Sequence, residues 1–224
     1  MSVATTEQSI KLSPRGLSGD LAIPERAAGM VLFAHGSGSS RHSPRNRYVA
    51  SVLQQGGFAT LLLDLLTAAE EVVDFNTAHF RFDIGLLGER LLEATDWLSR
   101  EPATRRLSIG YFGASTGAAA ALVAAAERPS LIGAVVSRGG RPDLAGSALS
   151  RVQAPTLLIV GGNDRQVIGL NQQALARLRC EKQFSIVPGA THLFEEPGTL
   201  EQVSKLASDW FAQHLNLEAR NGSH

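Results

Sequence analysis

Short apolar runs alternate with longer helical stretches along most of the chain, and this alternation constrains the fold more than any other feature of the sequence. The runs predicted to be strands are 29–36, 58–66, 105–115, 131–140, 154–164 and 183–190. Their hydrophobicity is nearly continuous, which is typical of strands buried on both faces. Stretches with helical patterns fill the intervals, among them 44–57, 83–101 and about 198–214. We therefore expect an α/β fold in which a mostly parallel sheet lies between two layers of helices.

The N-terminal part is predicted to form an antiparallel hairpin over 7–24, with its turn at "SPRG". No linker, repeat or low-complexity tract follows, so we expect a single domain over 1–224. The interval 139–153 is predicted to be a short loop and helix, too short for a lid domain. Only 67–82, predicted to be irregular, is long enough to form a wall beside a site.

The composition narrows the classes of partner. The formal net charge is zero, which argues against a nucleic acid or an anionic membrane surface as a partner. The single cysteine, Cys180, excludes an intrachain disulfide and is expected to serve packing. The N-terminus has no apolar core of a signal peptide, and no run is long enough to span a membrane. We expect a cytoplasmic protein that acts on a small molecule, and the sequence leaves the oligomeric state open.

A possible nucleophile lies in "GASTG", residues 113–117. The motif follows a predicted strand and directly precedes a helix, which is the context in which GxSxG forms a nucleophile elbow. Ser115 would then project above the sheet from a strained turn, and the small residues on either side would relieve steric clash. The alternative is that Gly113 and Gly117 only let the helix pack closely on the sheet.

A serine nucleophile needs a base and a group that orients the base. Asp164 follows the strand "LLIVGG", and His192 lies in the loop after the last strand. The order Ser115, Asp164, His192 is that of an α/β-hydrolase triad. The alternatives are an N-cap role for Asp164, since a helix begins there, and simple solvent exposure for His192.

An oxyanion hole needs two N–H donors. The Thr116 N–H at the helix start is one candidate, and the glycine-rich "HGSGSS" after the strand 29–36 can supply the other. We predict Ser37, with Gly38 as the second choice. His35 is expected to hold this loop in place, and His42 is a candidate for lining the pocket.

Four arginines, Arg41, Arg45, Arg138 and Arg141, lie near the predicted strand ends. The first three, together with Gly38, are our candidates for substrate binding. Arginine can bind a substrate carboxylate through two parallel hydrogen bonds. Ordinary ion pairing and solubility explain the same residues, and the sequence favours that explanation. HExxH, CxxC, GxGxxG and P-loop patterns are absent, so we expect no metal and no cofactor.

The motifs "HGSGSS", "GASTG", "GGND" and "THLF" resemble those of the α/β-hydrolase superfamily, and more narrowly its dienelactone-hydrolase-like members. This resemblance covers about residues 7 to 214. It implies an eight-stranded, mostly parallel sheet and a triad of Ser115, Asp164 and His192. Dienelactone hydrolases proper have a cysteine nucleophile, whereas this elbow holds serine, which suits ordinary carboxylic esters at least as well as lactones. The resemblance therefore implies a serine hydrolase of small esters or lactones. An acyltransferase with the same triad and a non-catalytic binding protein remain alternatives.

Overall fold

A computed structural model describes residues 4–215. The strands are β1 Thr5–Leu12, β2 Leu17–Pro24, β3 Met30–Ala34, β4 Ala59–Leu63, β5 Ile109–Ala114, β6 Ile132–Arg138, β7 Thr156–Gly161 and β8 Lys182–Val187. The α-helices are α1 Pro44–Gln55, α2 Ala68–Thr77, α3 Ile84–Leu98, α4 Thr116–Glu127, α5 Arg165–Arg177 and α6 Thr199–Leu215. The ends of the domain predicted for 1–224, residues 1–3 and 216–224, lie outside the described residues, and the single domain stays a prediction.

The eight strands form one sheet in the order β1-β2-β4-β3-β5-β6-β7-β8. The hairpin β1–β2 and the pair β2–β4 are antiparallel, and every other neighbouring pair is parallel. This confirms the prediction of an α/β-hydrolase fold with an N-terminal antiparallel hairpin. The carboxyl ends of β3, β5, β6, β7 and β8 point to the same edge of the sheet, where sites of parallel sheets form.

Apolar side chains cover both faces of the sheet. On β5, Tyr111 points into one cluster and Phe112 into the other, because successive side chains of a strand face opposite sides. The first cluster is completed by α3 and the alanines of α4, and the second by α1 and α6. The two cores hold β5 and β6 rigidly, which fixes the loops at their ends. Cys180 packs against the first cluster, as predicted.

The segment 67–82 differs from the prediction, because it contains α2 rather than an irregular loop. A capping box starts this helix: the Thr67 side chain accepts from the Glu70 N–H, and the Glu70 carboxylate accepts from the Thr67 N–H. Glu70 also binds Arg90 Nη2 at 2.6 Å. Only Asp74 of α2 is buried, so the apolar side chains of this helix do not form a stripe that faces the core.

The interval after β6 contains no lid, as predicted. Its residues form a 3₁₀ segment, Pro142–Arg151, with a kink at Gly146 where φ is 54°. Among residues 4–215, no helix has the length and apolar character needed to cross a bilayer.

Candidate active site

Ser115 occupies a strained turn between β5 and α4. Its backbone has φ 50° and ψ −123°, a left-handed conformation that costs a residue with a side chain of order 1–3 kcal/mol. The serine stands at the N-cap position of α4, yet its side chain makes no capping hydrogen bond. Its hydroxyl is therefore not used to stabilise the helix, which distinguishes it from an ordinary N-cap serine.

The two glycines of the motif are required by backbone contacts. A Cβ at Gly113 would lie 2.4 Å from Ala118 Cα, and a Cβ at Gly117 would lie 2.2 Å from Ala34 O. Both neighbours are main-chain atoms in tightly packed elements, so neither can move aside. The glycines thus allow the elbow to form between β5 and α4 against the end of β3, and they also allow α4 to pack closely.

Asp164 and His192 meet above β7 and β8. His192 Nδ1 lies 2.7 Å from Asp164 Oδ2. The Asp164 side chain is 15% exposed and the His192 side chain 41%, so the carboxylate is shielded while the imidazole remains reachable. The same carboxylate caps α5, since its Oδ1 accepts from the Val167 N–H at 3.4 Å. The N-cap of α5 and the contact with His192 are therefore made by different oxygens of one carboxylate.

The loops that carry these two residues are tied to each other. The Asn163 N–H donates to Ala190 O at 2.9 Å, and the Asn163 side chain donates to Gly189 O at 2.9 Å. Gly161 makes this approach possible, because a Cβ there would lie 2.5 Å from Ala190 O. The pairing of Asp164 with His192 is thus held by the backbone on both sides.

Ser115, Asp164 and His192 line one cavity of about 260 Å³, together with Arg141 and three residues of α5. Within the described part of the chain, Ser115 Oγ forms no hydrogen bond with the imidazole. Catalytic hydrogen bonds of this kind are often long in unliganded enzymes and tighten when substrate binds. The arrangement brings all three sequence-predicted residues to one cleft.

The turn after β3 lies against the nucleophile. A Cβ at Gly36 would be 2.9 Å from Ser115 Cβ, and the Ser37 N–H donates to Thr116 Oγ1 at 2.9 Å. Ser37 therefore lies next to Thr116, although its N–H already has an acceptor. Gly38 continues the turn with φ 69°. We call residues 36–38 the β3 turn.

His35 holds this turn from below. Its Nε2 accepts from the Leu65 N–H at 3.1 Å, so its Nδ1 carries the proton and donates to Gly36 O at 2.9 Å. Burial lowers the pKa of His35. With both ring nitrogens bonded to the backbone, His35 is neutral and structural, as the sequence analysis expected.

The three candidate arginines have different environments. Arg41 pairs with Asp64 and lies 3.5 Å from Asp20, and Arg45 pairs with Glu195 at 3.0 Å. Arg138 is buried, and neither its Nε nor its Nη1 has a hydrogen-bond partner among residues 4–215.

The Arg138 guanidinium lies 5.9 Å from the centre of the Phe194 ring, beneath the loop of His192. Burial, followed by repulsion from Arg45, lowers its pKa to about 10. The cavity that contains Ser115, Asp164 and His192 is lined by Arg141 rather than by any of these three arginines.

A larger cavity of about 470 Å³ lies on the other side of the β3 turn. It is bounded by that turn, Thr116, His42 and the inner side of α2. Gly38 and His42 line it, and their predicted parts in substrate binding and in the pocket stay predictions. Glu71, Phe75 and Arg81 line it as well. The prediction of an irregular wall over 67–82 did not place these three side chains at a site. The capping box at Thr67 was the signal that could have placed them on a helix.

Groups of three or more His, Cys, Asp or Glu side chains that could hold a metal ion do not occur in the described residues. The chemistry available at this site comes from the hydroxyl, the imidazole, the carboxylate and nearby N–H groups.

Comparisons with known proteins agree with the fold described above. The profile of the dienelactone hydrolase family matches residues 18–217. A crystal structure of a dienelactone hydrolase from Anabaena variabilis is 62% identical, with a TM-score of 0.91 over 95% of this chain and 99% of that chain. Est1E from Butyrivibrio proteoclasticus shares the fold at 15% identity, with a TM-score of 0.75 over 92% of this chain and 98% of that one.

Two curated relatives from strains of Mycobacterium tuberculosis are each 60% identical over 209 residues, or 93% of this chain. Both carry the name "putative phosphoribosyl transferase", and the match covers 46% of their length. The chain thus spans about half the length of the curated relatives that it matches. Taken with the sheet order and the elbow, the family match leads to one conclusion: this chain belongs to the dienelactone hydrolase family.

Proposed function

We propose that the protein is a serine hydrolase that cleaves small carboxylic esters or lactones through an acyl-enzyme on Ser115. The observation that carries this proposal is the strained Ser115 turn, whose hydroxyl makes no capping bond, in one cleft with the paired Asp164 and His192. Such strain at a non-glycine residue is retained where function requires it.

His192 is the general base in the proposed reaction. Its Nδ1–H donates to the Asp164 carboxylate, which leaves the Nε2 lone pair free to accept the Ser115 proton. Ser115 Oγ then attacks the ester carbonyl, and the imidazolium returns the proton to the leaving oxygen. Water, activated in the same way, releases the acid and restores Ser115.

The developing oxyanion is held by backbone donors. The Thr116 N–H points from the first turn of α4, where the helix dipole favours negative charge. The second donor comes from the β3 turn, with Ser37 N–H shared between Thr116 Oγ1 and the oxyanion, or Gly38 N–H beside it. Sharing is compatible with the 2.9 Å bond, because a backbone N–H can serve two acceptors.

The name of the mycobacterial relatives belongs to proteins about twice as long as the matched segment. Residues 113–117 and the Asp164–His192 pair favour acyl chemistry for this chain. An acyltransferase would use the same acyl-enzyme with a different acceptor, so it is tested alongside hydrolysis.

The test is turnover of 4-nitrophenyl acetate with analysis of both products. We expect acetate and 4-nitrophenol from the wild type, and a loss of at least about 10⁴-fold in kcat for Ser115→Ala. Ser130→Ala, an exposed serine after α4, is the matched control and should keep full activity. Added short alcohols that capture most of the acetyl group would favour the acyltransferase, and equal turnover by Ser115→Ala would rule out the proposed nucleophile.

A further inference from the structure

We propose that the 470 Å³ cavity between the β3 turn and α2 is the acyl pocket of this hydrolase, and that it selects uncharged, apolar acyl groups over acyl groups that carry a carboxylate. This inference rests on the proposed function and specifies the substrate class of the same site.

The position of His192 decides which part of an ester enters which cavity. His192 must protonate the leaving oxygen, and it lines the smaller cavity with Ser115 and Arg141. The leaving alcohol therefore occupies that side. The acyl group is the other substituent on the carbonyl carbon, so it extends past Thr116 and the β3 turn. Those residues form the near wall of the larger cavity.

The far side of the larger cavity is apolar. Leu65, Leu66 and Leu87 form its floor and are buried, and Phe75 of α2 forms part of its mouth. Phe75 is 83% exposed, so most of its apolar surface is available to a bound group. A bound acyl group with a ring would cover the inner face of Phe75 and remove apolar surface from water. The cavity volume falls in the range common for ligand sites.

The charges around this cavity disfavour a carboxylate. Arg81 is neutralised by Asp74, with Nε 2.7 Å from Oδ2, so it is not available to bind an anion. Glu71 is largely exposed and forms no ion pair among residues 4–215. Partial desolvation, followed by repulsion from Asp64, raises its pKa, and attraction to Arg41 and His42 offsets only part of this shift. A carboxylate on the acyl group would enter a region with this unpaired acid and no free arginine, which is unfavourable by simple electrostatics.

The first experiment keeps the leaving group constant and varies the acyl group. Hydrolysis of 4-nitrophenyl 3-phenylpropanoate and 4-nitrophenyl acetate is compared as a ratio of kcat/KM. We expect the wild type to favour phenylpropanoate and Phe75→Ala to lower the ratio about tenfold. Val72→Ala is the matched control, since Val72 is 68% exposed on the same helix and does not line the cavity. An unchanged ratio in Phe75→Ala, or an equal fall in both variants, would overturn the pocket assignment.

The second experiment tests charge selection at pH 8, where ordinary histidine side chains are neutral. The 4-nitrophenyl esters of hexanoate and hemiadipate have the same chain length and differ in the terminal carboxylate. We expect the wild type to prefer hexanoate and Glu71→Gln to reduce that preference about fivefold. Glu101→Gln, after the carboxyl end of α3 at the opposite edge of the sheet, should leave it unchanged. Preference of the wild type for hemiadipate, or no effect of Glu71→Gln, would contradict the charge argument.

A binding measurement separates failure of this inference from failure of the proposed function. Calorimetric titration with 3-phenylpropanamide, which the enzyme need not cleave, is made on Ser115→Ala, alone and combined with Phe75→Ala or Val72→Ala. Binding that Phe75→Ala weakens and Val72→Ala preserves supports the pocket even if no ester is hydrolysed. Binding that is absent, or insensitive to Phe75→Ala, overturns it even if esters are hydrolysed.

Discussion

Asp164 serves two purposes at the scale of a single residue. One carboxylate oxygen caps α5 and the other holds His192. Asp164→Asn keeps a good N-cap but disfavours the tautomer that the base requires. We therefore expect kcat for a 4-nitrophenyl ester to fall by about 10³–10⁴-fold while the melting temperature stays within about 2 °C of the wild type.

Asp164→Ala removes both functions and serves as the comparison. It should lose a similar amount of activity and, in addition, about 1 kcal/mol of unfolding free energy because the cap is gone. Steady-state kinetics and thermal unfolding measured on both variants check this. Equal destabilisation by Asp164→Asn and Asp164→Ala would show that a hydrogen-bond acceptor at this position does not stabilise the start of α5.

The glycines of the elbow give a second prediction at this scale. Gly117→Ala places a Cβ 2.2 Å from Ala34 O, so we expect a loss of about 3 kcal/mol or more of unfolding free energy. Gly169→Ala in α5 is the matched control, because a Cβ there meets nothing within 4 Å. It should stabilise the protein by about 0.5–1 kcal/mol. Chemical denaturation measures both, and a tolerated Gly117→Ala would mean that the elbow is less confined than its contacts indicate.

At the scale of elements, His35 links the end of β3 to the residues after β4. Its pKa is lowered by burial, so below about pH 6.5 the unfolded state binds a proton that the folded state resists. A neutral His35 therefore stabilises the folded state above about pH 6.5, and this stabilisation is lost as the pH falls toward the lowered pKa of His35. We expect His35→Gln to flatten the fall in unfolding free energy between pH 7.5 and 5 by up to about 1.4 kcal/mol per pH unit.

The exposed His79 provides the control for this measurement. His79→Gln should leave the pH dependence of unfolding unchanged. If His35→Gln and the wild type lost stability in parallel on acidification, His35 would not be the group that titrates.

The strands and the site loops followed from the sequence because their signals are local. Apolar runs marked the parallel strands, and GxSxG, GGND and THLF each lay at the carboxyl end of one of them. In a parallel sheet those ends share an edge, so the grouping of Ser115, Asp164 and His192 required no knowledge of side-chain contacts.

The helix α2 and the cavity beneath it could not be predicted from the sequence, because both depend on contacts between separate segments. Its start depends on reciprocal hydrogen bonds between Thr67 and Glu70, and its attachment on pairs with distant residues such as Arg90. The bond from Ser37 N–H to Thr116 Oγ1 and the burial of Arg138 likewise depend on how separate loops meet. Hydrophobic periodicity carries no information about such contacts.

At the scale of the whole molecule, the two cores share one sheet, and each contains a tryptophan. Trp97 of α3 packs on the first core and Trp210 of α6 on the second. If 1–224 is a single domain, both faces must unfold together, since neither core keeps its sheet without the other. Trp97→Phe leaves only Trp210 as a fluorescent reporter, and Trp210→Phe leaves only Trp97. For each variant we expect the midpoint of urea unfolding measured by tryptophan fluorescence to equal the midpoint measured by circular dichroism. Separate midpoints would contradict a single cooperative unit.

The central claim is that the fold activates Ser115, and one measurement tests it most directly. The intact mass of the wild type and of Ser115→Ala is recorded after incubation with a fluorophosphonate, which reacts with an activated serine much faster than with an ordinary hydroxyl group. We predict a single adduct on the wild type, located by peptide mapping on Ser115, and none on the variant. An unlabelled wild type, or an adduct that persists in Ser115→Ala, would contradict the account.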